Sequence, residues 1–159
     1  MKKEETVDYN VKVTWHAISR MYNQQGMAFD VTASTGFVLL NIDSQEGTPA
    51  TKIAPLLGLE ARSLTRMLKS LEEKGMIYKQ QDPNDRRSVR IFLTDLGKEK
   101  KNFSRIVVKE FNNRIRERIP EDKLQTFFEV IRSINSLIDH NGQDLETTIN
   151  TIEKHEQTY

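Results

Sequence analysis

Between Gly58 and Gly75 the chain places Leu64, Met67, Leu68 and Leu71 on a single helical stripe, and this bracketed amphipathic segment constrains the fold more than any other. Glycine is the residue that ends a helix in the left-handed conformation, so the helix spans about Ala61 to Lys74 and stops at Gly75. The turn Gly58-Leu59-Glu60 before it is tight, which brings an apolar helix carrying Ile53, Leu56 and Leu57 alongside. Thr48-Pro49 reads as the N-cap and first-turn proline of that preceding helix. A start at Thr48 puts Pro55 in the helix interior at a cost of roughly 3 kcal/mol, so a later start near Thr51, or a kink, is expected.

After Gly75, Met76-Ile77-Tyr78 and Val89 to Leu93 read as two strands joined by Gln81-Asp82-Pro83-Asn84-Asp85-Arg86-Arg87-Ser88, a β-hairpin with a charged tip. Upstream, Val7, Val11, Trp15, Ile18 and Tyr22 keep the period of one helical face until Asn23-Gln24-Gln25-Gly26. Thr32 then caps a short apolar helix running through Phe37, Val38, Leu39 and Leu40 to about Asp43. Downstream, Thr94 caps a long helix bearing Leu96, Phe103, Val107, Phe111 and Ile115, and a further helix follows Pro120 with Leu124, Phe127, Ile131, Ile134 and Ile138. That run is expected to halt at Asn141-Gly142, leaving 143–159 as a polar tail with one weak amphipathic turn or frayed chain. The fold class is mainly α with a small β-hairpin: two short helices, a glycine turn, an amphipathic helix and a wing, flanked by N- and C-terminal helices.

Composition narrows the function. Leu, Ile, Val and Phe make up 42 of 159 residues, enough for a packed core. The longest uncharged stretch, Val31 to Ile42, falls well short of the ~20 apolar residues of a bilayer span, and the polar start Met-Lys-Lys-Glu-Glu lacks a secretory h-region, so a cytoplasmic protein is expected. With no cysteine, disulfides, thiolate metal sites, cysteine nucleophiles and thiol redox sensing are all excluded. His16, His140 and His155 show no ligand spacing, and no Ser/His/Asp arrangement, phosphate-binding glycine loop or H-E-x-x-H motif is present. Neither an enzyme nor a metal or cofactor is implied. The net charge of +1 conceals an uneven distribution: −2 over 1–47, +3 over 48–97, +5 over 98–118 and −5 over 119–159. The basic middle suits a polyanion.

The face of the amphipathic helix opposite its apolar stripe is centred on Arg62, Arg66, Lys69 and Glu73, flanked by Ser63, Thr65 and Ser70. Arg can bond a guanine edge bidentately or grip phosphate, and Ser or Thr does either more weakly, so this set suits both base reading and backbone positioning. Gly58-Leu59-Glu60-Ala61-Arg62-Ser63-Leu64-Thr65-Arg66, Leu71-Glu72-Glu73-Lys74-Gly75-Met76-Ile77, Asp82-Pro83-Asn84-Asp85-Arg86-Arg87-Ser88 and Leu93-Thr94-Asp95-Leu96-Gly97 together resemble the MarR family of transcriptional regulators. The resemblance covers roughly residues 7 to 140 in element order, and the Asp-x-Arg wing followed by Leu-Thr-x-x-Gly is its most specific part. It implies one protomer over 1–142, a winged helix-turn-helix over about 32–97 and dimerisation helices over about 7–25 and 95–140. It also implies that Arg87 enters the DNA minor groove, oriented by Asp85 and beside Arg86. An Arg in a narrow minor groove meets enhanced negative potential, so the physics agrees.

The resemblance further implies a homodimer on a pseudo-palindromic duplex and a small aromatic or anionic effector; the leading reading is a transcriptional repressor or activator, with a repressor released by its effector preferred. Trp15, His16 and Tyr22 are placed by position to line the effector site. Two heptads of large apolar residues from Leu124 to Ile138 exceed what a small winged domain needs for its own core, which supports dimerisation independently. The other reading of the same features is an architectural or protein-interaction winged helix without strong sequence preference, marked by steep salt dependence alone.

Overall fold

The structure, a computed structural model, describes the backbone of residues 2–83, 85 and 88–156, with side chains described as far as residue 139. It forms two compact units, Met1–Glu110 and Phe111–Tyr159. The elements in order are α1 (Val7–Gly26), α2 (Ala33–Leu40), β1 (Thr48–Pro49), α3 (Ala50–Leu56), α4 (Ala61–Glu73), β2 (Ile77–Gln81), β3 (Val89–Leu93), α5 (Asp95–Arg118) and α6 (Glu121–Glu156).

In the first unit, the start of α2 is fixed by a reciprocal cap. Thr32 Oγ1 accepts from the Thr35 N–H at 3.2 Å, and the Thr32 N–H donates to Thr35 Oγ1 at 2.9 Å. Asn23 near the end of α1 adds an acceptor for the Ala33 N–H at 2.8 Å, which ties the two helices together. The ends of α3 and α4 are alike. Gly58 and Gly75 both take left-handed backbone (φ +59° and +67°), and the N–H groups after them return to the helix carbonyls: Leu59 to Ala54 at 3.0 Å and Met76 to Leu71 at 2.9 Å. These closures turn the chain sharply at both ends of α4, as the two glycines predict.

Thr48-Pro49 departs from expectation. It is not a helix start but a two-residue strand antiparallel to β3, pairing Thr48 with Ile91 and Pro49 with Arg90. A residue before proline is biased toward extended backbone, and a proline without an N–H is tolerated at a sheet edge, so the dipeptide serves a strand better than a cap. Helix α3 therefore begins at Ala50, and Pro55 falls in its last turn. The wing is a three-stranded sheet of order β1-β3-β2, with Ile77 opposite Leu93 and Gln81 opposite Val89, larger than the hairpin expected from the sequence.

One apolar core joins these pieces. Val38, Leu39, Ile42, Ile53, Leu71 and Ile91 are fully buried, together with Leu64, Leu68, Met76, Ile77 and Leu93. The stripe of α4 is thus locked inward between α2, α3 and the sheet. The start of α5 is stitched to the end of α4: the Thr94 N–H donates to the Met76 carbonyl at 3.1 Å, Thr94 Oγ1 donates to the Gly75 carbonyl at 2.7 Å, and the Gly97 N–H donates to Thr94 Oγ1 at 3.0 Å. A Cβ on Gly97 would stand 1.9 Å from the Met76 carbonyl oxygen, which explains physically why Leu-Thr-x-x-Gly ends in glycine. Gly97→Ala is expected to lower stability by about 1–3 kcal/mol, measured by urea unfolding.

In the second unit, α6 does not stop at Asn141-Gly142 but continues as helix to Glu156, where the sequence suggests one weak turn or frayed chain. A single interior glycine costs only about 1 kcal/mol relative to alanine. Leu145, Ile149 and Ile152 continue the helical spacing of Ile131, Ile134 and Ile138, so the apolar periodicity runs through the break. Gln157, Thr158 and Tyr159 lie outside the described residues.

Candidate nucleic-acid interface

Because Leu64, Leu68 and Leu71 are buried, the other side of α4 faces outward, and Arg62, Ser63, Thr65, Arg66 and Lys69 are all exposed on it. The structure therefore brings together the helix residues singled out from the sequence. Among the described residues neither Arg62 nor Arg66 has an ion pair or hydrogen-bond partner, so both guanidinium groups keep their five donors for an external acceptor. Thr65 Oγ1 donates to the Ala61 carbonyl at 2.9 Å and still presents lone pairs outward. Lys69 Nζ stands 3.9 Å from Glu73 with both side chains largely exposed, a loose i,i+4 pair worth about 0.3–0.5 kcal/mol that a phosphate can displace. Other charges near the helix end are drawn elsewhere, Glu72 to Lys79 on β2 and Lys74 to Asp30 at 2.7 Å, while Glu73 stays on the exposed face beside Lys69. What remains on the exposed face is a cationic, hydroxyl-bearing strip on a rigid helix, suited to hydrogen-bonding base edges and phosphates.

Beside it stands the wing. The loop after β2 closes through the Asp82 N–H to the Ser88 carbonyl at 3.0 Å and turns through the Ser88 N–H to the Asp85 carbonyl at 2.9 Å. Asp85 is exposed there. Arg86 and Arg87 lie outside the described residues, as does Asn84. Sequence reasoning misses the charge pair at the base of this loop, Asp82 with Arg90. Its signal is a carboxylate just after one strand and an Arg at the second position of the next.

Of the three residues expected to line an effector site, Tyr22 lines a recess among the described residues. It is buried, and that burial pushes its phenol pKa up. The recess lies among α1, α2 and α5, walled by Gly26, Val31, Phe37, Phe103 and Val107, and holds only about 30 Å³. Trp15 is half exposed and touches the edge of this group through Phe37, at a ring distance of 5.7 Å. His16 is exposed on α1 and does not line it. Among the described residues no group of three or more His, Asp or Glu is arranged to hold a metal. No helix there is long and apolar enough to cross a membrane.

A sequence model described as the MarR family matches residues 31–89, the span from just before α2 to the first residue of β3. The transcriptional regulator SarZ of Staphylococcus saprophyticus is 32% identical over 115 residues, covering 69% of this chain and 79% of SarZ. TtmR of Methylorubrum extorquens, also described as a transcriptional regulator, is 36% identical over 83 residues, and the match spans 52% of this chain but less than half, 43%, of TtmR. The structure of MepR from S. aureus, solved as a DNA complex, superposes with a TM-score of 0.76 at 22% identity, covering 82% of this chain and 97% of that one, a likeness of fold. With the winged helix-turn-helix geometry in place and a regulator of this kind matched across most of its length, the chain belongs to the MarR family of transcriptional regulators.

Proposed function

We propose that the protein is a dimeric, sequence-specific repressor that reads a pseudo-palindromic duplex in the cytoplasm and is released by a small effector. The observation that carries this is the pair Arg62 and Arg66, without hydrogen-bond or ion-pair partners among the described residues, on a helix whose opposite face is locked in the core. In this reading Arg62, Ser63, Thr65 and Arg66 meet base edges in the major groove, Lys69 meets phosphate, and Arg86 and Arg87 on the wing reach the minor groove with Asp85 as orienter. Lys69→Ala is expected to weaken binding to all duplexes alike and to reduce the slope of log affinity against log salt by about 1. Anisotropy titrations at several salt concentrations measure this.

Dimerisation is supported by apolar side chains left outside: Val7, Val11 and Trp15 on α1, and Phe127, Val130, Leu137 and Ile138 on α6 are each about half exposed or more. Patches of this kind mark protein interfaces. Two copies would set their α4 helices about one DNA turn, ~34 Å, apart, so any change of dimer angle alters affinity.

The Tyr22 recess supports the effector. No Lys, Arg or His lines it, and its polar groups are confined to Tyr22, Thr32 and Ser104. That lining favours an uncharged aromatic molecule over the anion that the family resemblance also allows. At about 30 Å³ the recess has room for little more than a water, so a ring can enter only by parting α2 from α1 and α5. Helix α2 shares its core residues Val38 and Leu39 with Leu64 and Leu68 of α4, which gives the displacement a packed route to the DNA-facing helix.

A further inference from the structure

The Asp82–Arg90 pair is not used by the DNA contacts assigned above. Asp82 is only 4% exposed. Arg90 reaches Asp82 Oδ2 with both Nε and Nη2 at 3.1 Å. Through Nη1 the same guanidinium donates to the backbone carbonyls of Glu46 at 3.1 Å and Gly47 at 3.3 Å. Those carbonyls belong to the turn between α2 and β1, which is itself pinned. The Asp43 carboxylate accepts from the N–H groups of Gln45 and Glu46 at 2.8 and 2.7 Å, bonds that hold its pKa below the usual carboxylate range. The Asp43 N–H in turn donates to Thr48 Oγ1 at 2.9 Å. One guanidinium therefore ties the first residue of the wing loop, the central strand and the α2–β1 turn.

We propose that Arg90 is a positioning residue for the wing: by clamping Asp82 to the Glu46–Gly47 turn it fixes the direction in which the wing loop leaves the sheet, and so the preference for bases flanking the site of α4. The inference rests on the reading that α4 and the wing bind DNA. Arg90 suits bracing better than DNA contact, because four intrachain contacts occupy its donors and its side chain is only 19% exposed. The sheet itself is held from its other face by Ile77, Ile91 and Leu93, so the strands stay packed without the clamp. Lysine has no planar fork and cannot reproduce all three attachments at once.

The test is selection from a random duplex pool by the full chain, followed by sequencing, with thermal unfolding recorded in parallel. Wild type enriches a site with a preferred centre and preferred flanks. Arg90→Met is expected to keep the centre preference within about twofold and to lose about fivefold or more at the flanks, the factor that roughly 1 kcal/mol represents. Arg90→Lys falls between the two and carries the comparison if Arg90→Met does not fold. Wild-type flank preference in the folded variant overturns the proposal, and so does an equal loss at centre and flanks, which marks a merely structural role. If wild type enriches no site, the DNA-binding reading fails and takes the proposal with it; a site enriched identically by wild type and variant sinks the proposal alone.

Discussion

Replacing Arg62 and Arg66 together by alanine is expected to weaken binding to the selected duplex by about 2–6 kcal/mol, from roughly thirtyfold to more than about ten thousandfold. Each Arg that grips a base edge or phosphate contributes about 1–3 kcal/mol, and these two sit one helical turn apart on the same exposed strip of α4. Neither makes a hydrogen bond or ion pair among the described residues, so the folded state loses no polar contact that it now uses. Thermal stability should stay within about 0.5 kcal/mol of wild type, as for surface substitutions in general. Anisotropy and circular dichroism on one preparation separate the two effects. Unchanged affinity would remove α4 from the interface.

Leu71→Ala is expected to act in the opposite order, on stability first and on DNA through it. Leu71 is fully buried at the junction of α2, α3, α4 and the sheet, and its carbonyl also accepts the Met76 N–H that closes α4. Truncating such a leucine costs about 2–5 kcal/mol, the lost transfer energy plus the cavity left behind. Against a typical stability of about 5–15 kcal/mol, that is a large share. Urea unfolding should show the loss as a shifted midpoint. Leu71→Met, which nearly conserves volume, should cost less than about 1.5 kcal/mol. Equal stability of wild type and Leu71→Ala would contradict the shared core.

The parts of the fold legible from sequence are those in which local chemistry and tertiary packing agree. Helix α4 is stated three times over by its leucine stripe, Gly58 and Gly75, and the structure places all three as expected. Thr94 marks the start of α5 in the same way, as the cap that the structure shows. Thr48-Pro49 misleads because its extended preference has meaning only beside β3, more than forty residues later in the chain. Asn141-Gly142 misleads because breaker residues carry less weight than the apolar period that runs past them. The cations of α4 are legible as a site, since an amphipathic helix fixes its outer face once its inner face is known. Asp82 and Arg90 are not, because a pair bridging a strand, a loop base and a distant turn leaves no periodic trace in the sequence.

The claim on which the rest depends is that the exposed strip of α4 reads sequence and not merely charge. Its most direct test compares the affinity of the protein for a duplex recovered by in vitro selection with its affinity for a scrambled duplex of the same composition, at two salt concentrations. A preference of about 10³ or more at matched salt, within the range of specific regulators, is the predicted result. Equal affinities that fall steeply and in parallel with salt would contradict it, leaving an architectural DNA-binding protein.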